Sequence, residues 1–151
     1  MNIVVSWDWL TFAPVSASAA EFYNVSETAI NWLSTGFLFA FIVMSPVTIL
    51  TLNRTPKTAI MVSSCFLLVG NWLRYAATRA NGRFGLLMFG QILTGLAQPF
   101  VLAAPTKYSD LWFTESGRVS ATALASLANP FGGAVCSLMH LVFGRSVLTM
   151  I

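Results

Sequence analysis

The stretch "TAINWLSTGFLFAFIVMSPVTILTLN", residues 28–53, contains no Asp, Glu, Lys or Arg. A helix needs about 20 residues, with a range of about 17 to 25, to cross the hydrocarbon of a bilayer. This run of 26 residues is long enough. Three further charge-free runs follow: 16 residues between Lys57 and Arg74, 23 between Arg83 and Lys107, and 26 between Arg118 and Arg145. Before Glu21 the only charge is Asp8. The 16-residue run is short, and the spacing lets Arg74 snorkel from a helix end so that the span continues to Ala77. The pattern predicts five helices, at about 3–20, 28–50, 57–77, 84–106 and 118–141.

Composition agrees with a membrane chain. Charged residues make up 9% of the 151 and hydrophobic ones 56%. A soluble domain of this length carries about 25% charged residues. No period-2 alternation suggests a barrel, and open sheet edges cannot sit in lipid. The expected fold is therefore an all-α membrane bundle, with a lipid bilayer as its surroundings. The net charge of +3 is scattered, so nothing marks a nucleic-acid surface. If "NRTPK" is cytosolic, Arg54, Lys57, Lys107 and Arg118 face in. Arg74, Arg79, Arg83 and Arg145 then face out, and the positive-inside rule does not decide.

Residues with chemistry are few. In the fourth expected helix Gln91, Thr94, Gly95 and Gln98 fall at i, i+3, i+4 and i+7 and share one face. The two glutamines have two readings: amides that bond neighbouring helices, or amides that line a polar cavity and contact solute. In the first helix Ser6, Trp9, Ala13, Ser16, Ala17 and Ala20 form a small-residue face with Trp9 as its one large member. Pro14 is expected to bend that helix. Trp7 suits an interfacial belt. Asp8 lies about 100° from Trp9, near Val4, Val5, Phe12 and Val15, with Thr11 its nearest polar neighbour by sequence. In the fifth helix Gly117, Ala121 and Ala125 repeat every four residues, as do Ala128 and Gly132, a spacing that suits close helix packing. "NPFGG", with Asn129, Pro130, Gly132 and Gly133, is a candidate bend or pivot. Cys65 and Cys136 read as free thiols in mid-span. His140 stands alone, so no metal or other cofactor is expected. No Ser-His-Asp set, His-Glu motif or phosphate loop is present, and an enzyme is not expected.

The stretch "FGQILTGLAQPFVLAAPTKYSDLWFTESGRVSATALASLANPFGGAV" resembles helices four and five of a major facilitator transporter. Together with "WDWLTFAPVSASAAEFYNVSETAINWLS" and "GNWLRY" it resembles, more narrowly, the feline leukaemia virus subgroup C receptor-related group, solute carrier family 49. The resemblance implies transport of a small organic solute such as choline, ethanolamine or haem. It also implies that a first-helix tryptophan and a fourth-helix glutamine contact solute; Trp9 and Gln91 match, with Gln98 a second candidate. Asp8 is a candidate counter-charge or proton carrier by its position in a span. The family's gating loop between helices two and three matches "LNRTPKT", where Arg54 and Lys57 remain and Asn53 stands in place of an acid. The family has twelve helices in two halves, so five helices imply an amino-terminal part. Such a part needs carboxy-terminal helices or a complementary chain, and is not expected to transport alone. The other class of function is a membrane assembly or regulatory subunit that packs through its fifth helix.

Overall fold

A computed structural model describes residues 1–80 and 83–143. Within them the chain is a helical bundle without strands. Its elements are α1 (Asn2–Leu10), a 3-10 turn (Ala13–Val15), α2 (Ser16–Tyr23), α3 (Glu27–Arg54), α4 (Pro56–Arg79), α5 (Phe84–Trp112) and α6 (Glu115–Phe143). Helices α3, α4, α5 and α6 are each long and apolar enough to cross a membrane. At about 1.5 Å per residue the shortest, α4 with 24 residues, reaches about 36 Å. Large apolar side chains such as Ile42, Val43, Leu68, Trp72, Val119 and Leu124 remain exposed on the bundle's outside. On helices of this length such a surface faces lipid rather than water. The chain is an integral, multi-pass membrane protein.

The expected continuous first helix is two helices. Pro14 has no N–H to donate, and its ring crowds the preceding turn. The backbone answers with the 3-10 turn, closed by Val15 N–H donating to the Phe12 carbonyl at 3.3 Å. The break scatters the small-residue face: Ser6 and Ala20 are buried, whereas Ala13 and Ala17 are exposed. The "NPFGG" stretch does the opposite. Helix α6 continues unbroken through Pro130.

Local chemistry sets the other boundaries. Asn24 adopts the left-handed conformation (φ 51°) that closes α2, with its N–H on the Ala20 and Glu21 carbonyls. The Ser26 hydroxyl caps α3 by accepting from Ala29 N–H at 3.2 Å. Thr55 alone joins α3 to α4, and Pro56 opens α4 where a missing N–H is no loss.

Helix α5 is the centre and packs against α1, α3, α4 and α6. Two close crossings place it. A Cβ on Gly90 would lie 2.8 Å from the Gly70 carbonyl oxygen and 2.9 Å from Arg74 Cγ. A Cβ on Gly95 would lie 2.7 Å from the Phe37 carbonyl oxygen. Only glycine allows α4 and α3 to approach so closely there. Helix α6 packs on α1 by the same means, since a Cβ on Gly132 would meet the Ile3 carbonyl oxygen at 2.7 Å.

Candidate functional site

The polar centre lies where α1, α4 and α5 meet. Arg74 sits five residues from the C-terminal end of α4 and Gln91 at the start of the third turn of α5. The centre is therefore nearer the end of the bundle that carries Asn24. Asp8 is buried, with 5% of its surface exposed. Its Oδ1 accepts from Arg74 Nη1 at 2.8 Å and its Oδ2 from Asn71 Nδ2 at 2.9 Å. Arg74 is 4% exposed, and its guanidinium carbon lies 5.4 Å from the centroid of the Phe12 ring. The arginine expected to snorkel outward instead turns into the bundle. The physical reason is a partner: an intramembrane carboxylate is a better neighbour for a guanidinium than a distant interface. Gly90 leaves room for the arginine stem to pass α5.

Thr11, the neighbour expected for Asp8, donates its hydroxyl to the Trp7 carbonyl at 2.7 Å. Asp8 takes its partners from α4 instead. Both lie more than sixty residues away in sequence. A single helix's wheel shows which face a residue occupies but not what packs against it.

The stripe on α5 divides by atom. Thr94 is fully buried and donates to the Gln91 carbonyl of its own helix at 2.9 Å. Gly95 is a packing position. Gln91 is 1% exposed, and its Nε2 donates across to the Asp8 carbonyl oxygen at 3.3 Å. Among the described residues its buried Oε1 has no hydrogen-bond partner, and neither has the buried Oε1 of Gln98. The two readings of these glutamines therefore describe different atoms: the Gln91 nitrogen joins helices, and both amide oxygens are spare acceptors. A buried acceptor left unmade costs about 1–3 kcal/mol. Trp9 is partly buried and packs, with Phe66, against the apolar cluster formed by Val5, Phe37, Leu67, Ala97 and Val101.

The remaining candidates lie elsewhere. Arg54 and Lys57 are exposed at the α3–α4 turn and make no ion pair among the described residues. Asn129 donates to the Asn2 carbonyl at 3.5 Å, and Gly133 packs on Leu10 and Ser6. With Gly132 they form the α1–α6 seam around the exposed Pro130. At the end of the bundle that carries the α3–α4 turn, a groove of about 560 Å³ is lined by α3, α5 and α6, including Asn53, Lys107 and Thr122. The Asp110–Arg118 pair (2.9 Å) also lines it, and Trp9, Gln91 and Gln98 do not. Both cysteines are free, Cys65 exposed and Cys136 buried. The side chain of His140 and the closing residues, Arg145 among them, lie outside the described residues.

A family model described as the Major Facilitator Superfamily matches residues 1–148. The chain belongs to that superfamily. It is 38% identical over 144 residues to solute carrier family 49 member A3 of Danio rerio, covering 92% of this chain and 30% of that protein. It is 30% identical over 135 residues to the choline/ethanolamine transporter FLVCR1 of Mus musculus, covering 89% and 24%. It is 26% identical over 131 residues to the choline/ethanolamine transporter FLVCR2 of Homo sapiens, covering 86% and 25%. The chain thus spans about a quarter to three-tenths of the length of these relatives.

Proposed function

We propose that this major facilitator chain forms part of a carrier for a small organic cation of the choline or ethanolamine class. Trp9, Gln91 and Gln98 serve as its contacts in this reading, and solute passes between this bundle and further helices. The observation that carries the proposal is the pair of amide oxygens on α5, Gln91 Oε1 and Gln98 Oε1, that are buried without a partner among the described residues. Each accepts from a hydroxyl or an ammonium N–H, the donors that choline and ethanolamine offer. The ring face of Trp9 attracts a quaternary ammonium by about 0.5 to 2 kcal/mol. The similarity to the mouse and human choline/ethanolamine transporters supports the same solute class. Transport between two packed repeats needs both of them, so the bundle alone binds without carrying.

The alternative, an assembly subunit docking through α6, has less support. Part of the small-residue face of α6 is already used within the chain, through Gly132 against Ile3 of α1. The chain contains two glutamines, so selective ¹⁵N-glutamine labelling in lipid nanodiscs gives two side-chain amide signals. Titration with choline or ethanolamine is expected to shift both signals, and Trp9→Ala to weaken the effect. Unmoved signals at millimolar solute would sink the solute reading. Saturable uptake by vesicles holding this chain alone would show that no further helices are needed.

A further inference from the structure

One bond of the polar centre links charge to geometry. Gln91 Nε2 bonds the main-chain carbonyl of Asp8 and leaves the carboxylate alone. That carbonyl belongs to the peptide joining Asp8 to Trp9. The Asp8 side chain is meanwhile held on both oxygens from α4, Oδ1 by Arg74 and Oδ2 by Asn71. Arg74 Nη1 also lies 3.5 Å from Asn71 Oδ1, closing a small ring of partners. The stem of Arg74 is confined by α5 at Gly90.

We infer that Asp8 and Arg74 are positioning residues: their ion pair fixes the Asp8–Trp9 peptide, and that peptide orients the Gln91 amide with its oxygen free. The assignment rests on the solute reading above for its purpose, though not for its geometry. It replaces the role of solute counter-ion or proton carrier for Asp8. Both carboxylate oxygens are engaged, and a solute that drew the carboxylate away would strand a buried guanidinium. The pair carries no net charge, so the site reads a solute by its donors and by the ring face of Trp9. Amide orientation then matters: a flipped Gln91 would present N–H groups, which a choline hydroxyl oxygen could accept but an ammonium could not.

The ¹⁵N-glutamine sample tests this without any solute. In the native chain the Gln91 side-chain amide is expected to exchange slowly with water. Arg74→Gln is expected to speed that exchange by at least about tenfold through local opening and to move the Gln91 resonance, while Gln98 stays in place. Arg74→Lys, which keeps the charge, is expected to restore part of the protection. Two results overturn the inference: a Gln91 signal unchanged in Arg74→Gln, or equal changes at Gln91 and Gln98, which would mean that the pair acts on bundle stability alone and does not orient Gln91. If Arg74→Gln does not fold, Asp8→Asn, which keeps an acceptor oxygen for Arg74, gives the second reading. Partial loss of protection at Gln91 alone supports the inference, and an unmoved Gln91 signal overturns it. Solute titration is a separate measurement, so failure of one reading is told apart from failure of the other.

Discussion

Helices α5 and α6 have the same length, 29 residues each, yet they are held in different ways. In its most apolar stretch α5 is 56% buried, against 17% for α6. Around α5 the bundle combines glycine crossings with a buried ion pair and oriented amides. Around α6 it relies on the close approach of Gly132 and Gly133 to α1 and on polar links nearer the surface, Asn2 to the Ala125 carbonyl at 3.2 Å, Asn129 to the Asn2 carbonyl at 3.5 Å and Arg118 to Asp110 at 2.9 Å. Lipid explains the contrast. Burying apolar side chains brings little gain when the alternative is an acyl chain, so helix association depends on close packing and on polar partners. Helix α5 has both means of association. Helix α6 has close packing with polar partners that are less buried, and most of its large apolar side chains face outward.

The sharpest way to break this comparison is at Arg74. Arg74→Leu alone leaves a buried carboxylate and is expected to destabilise the bundle by about 3–5 kcal/mol. Asp8→Leu together with Arg74→Leu is expected to recover most of that loss. Unfolding in nanodiscs, analysed as a double-mutant cycle, gives the coupling, and near-additive effects would refute it. The α6 seam comes next. Gly132→Leu places a side chain against the Ile3 backbone and is expected to cost about 1–3 kcal/mol, read as separation of α6 from α1 by cross-linking or fluorescence transfer. An unchanged distance would mean that the seam is looser than its geometry.

A third change should act in opposite directions on two readouts. Gln98→Leu removes a buried acceptor without a partner and is expected to raise stability by about 1 kcal/mol. The same change should weaken the choline-induced shift at Gln91. A loss of stability would show that Gln98 has a partner in the membrane. The smallest effect is expected at the groove. Arg118 and Asp110 are 42% and 47% exposed in their side chains, and breaking an exposed pair is worth about 0–1 kcal/mol. Arg118→Gln should leave the unfolding midpoint nearly unchanged, and a larger shift would give the groove a structural role.

The spans themselves are legible in the sequence because absence of charge is a local property. A run such as 28–53 needs no knowledge of its neighbours. The interruption at Ala13–Val15 is half legible: Pro14 signals a break, and the 3-10 turn is the form it takes. The polar centre is not legible by the same means. Asp8 and Arg74 are separated by 66 residues, and each taken alone reads as a misplaced charge. The signal that was present is the coincidence: one acid and one base of opposite sign, each embedded in an apolar span. Intramembrane charges commonly pair with one another, and that rule points to α1 against α4. Gln91 shows a second limit. Spacing puts its side chain on a polar face, but which of its two amide atoms is engaged depends on a backbone carbonyl that no side-chain pattern records.

The distance between Asp8 and Arg74 along the chain has a consequence for synthesis. At about 5–20 residues per second, a ribosome needs roughly 3–13 seconds to make the 66 residues that separate the two. Through that interval the first segment holds a carboxylate whose guanidinium partner has not been made. An acid at a helix centre disfavours insertion by about 2.5–3.5 kcal/mol. The first segment is thus expected to settle in the bilayer only after α4 arrives, so the nascent chain assembles out of its order of translation.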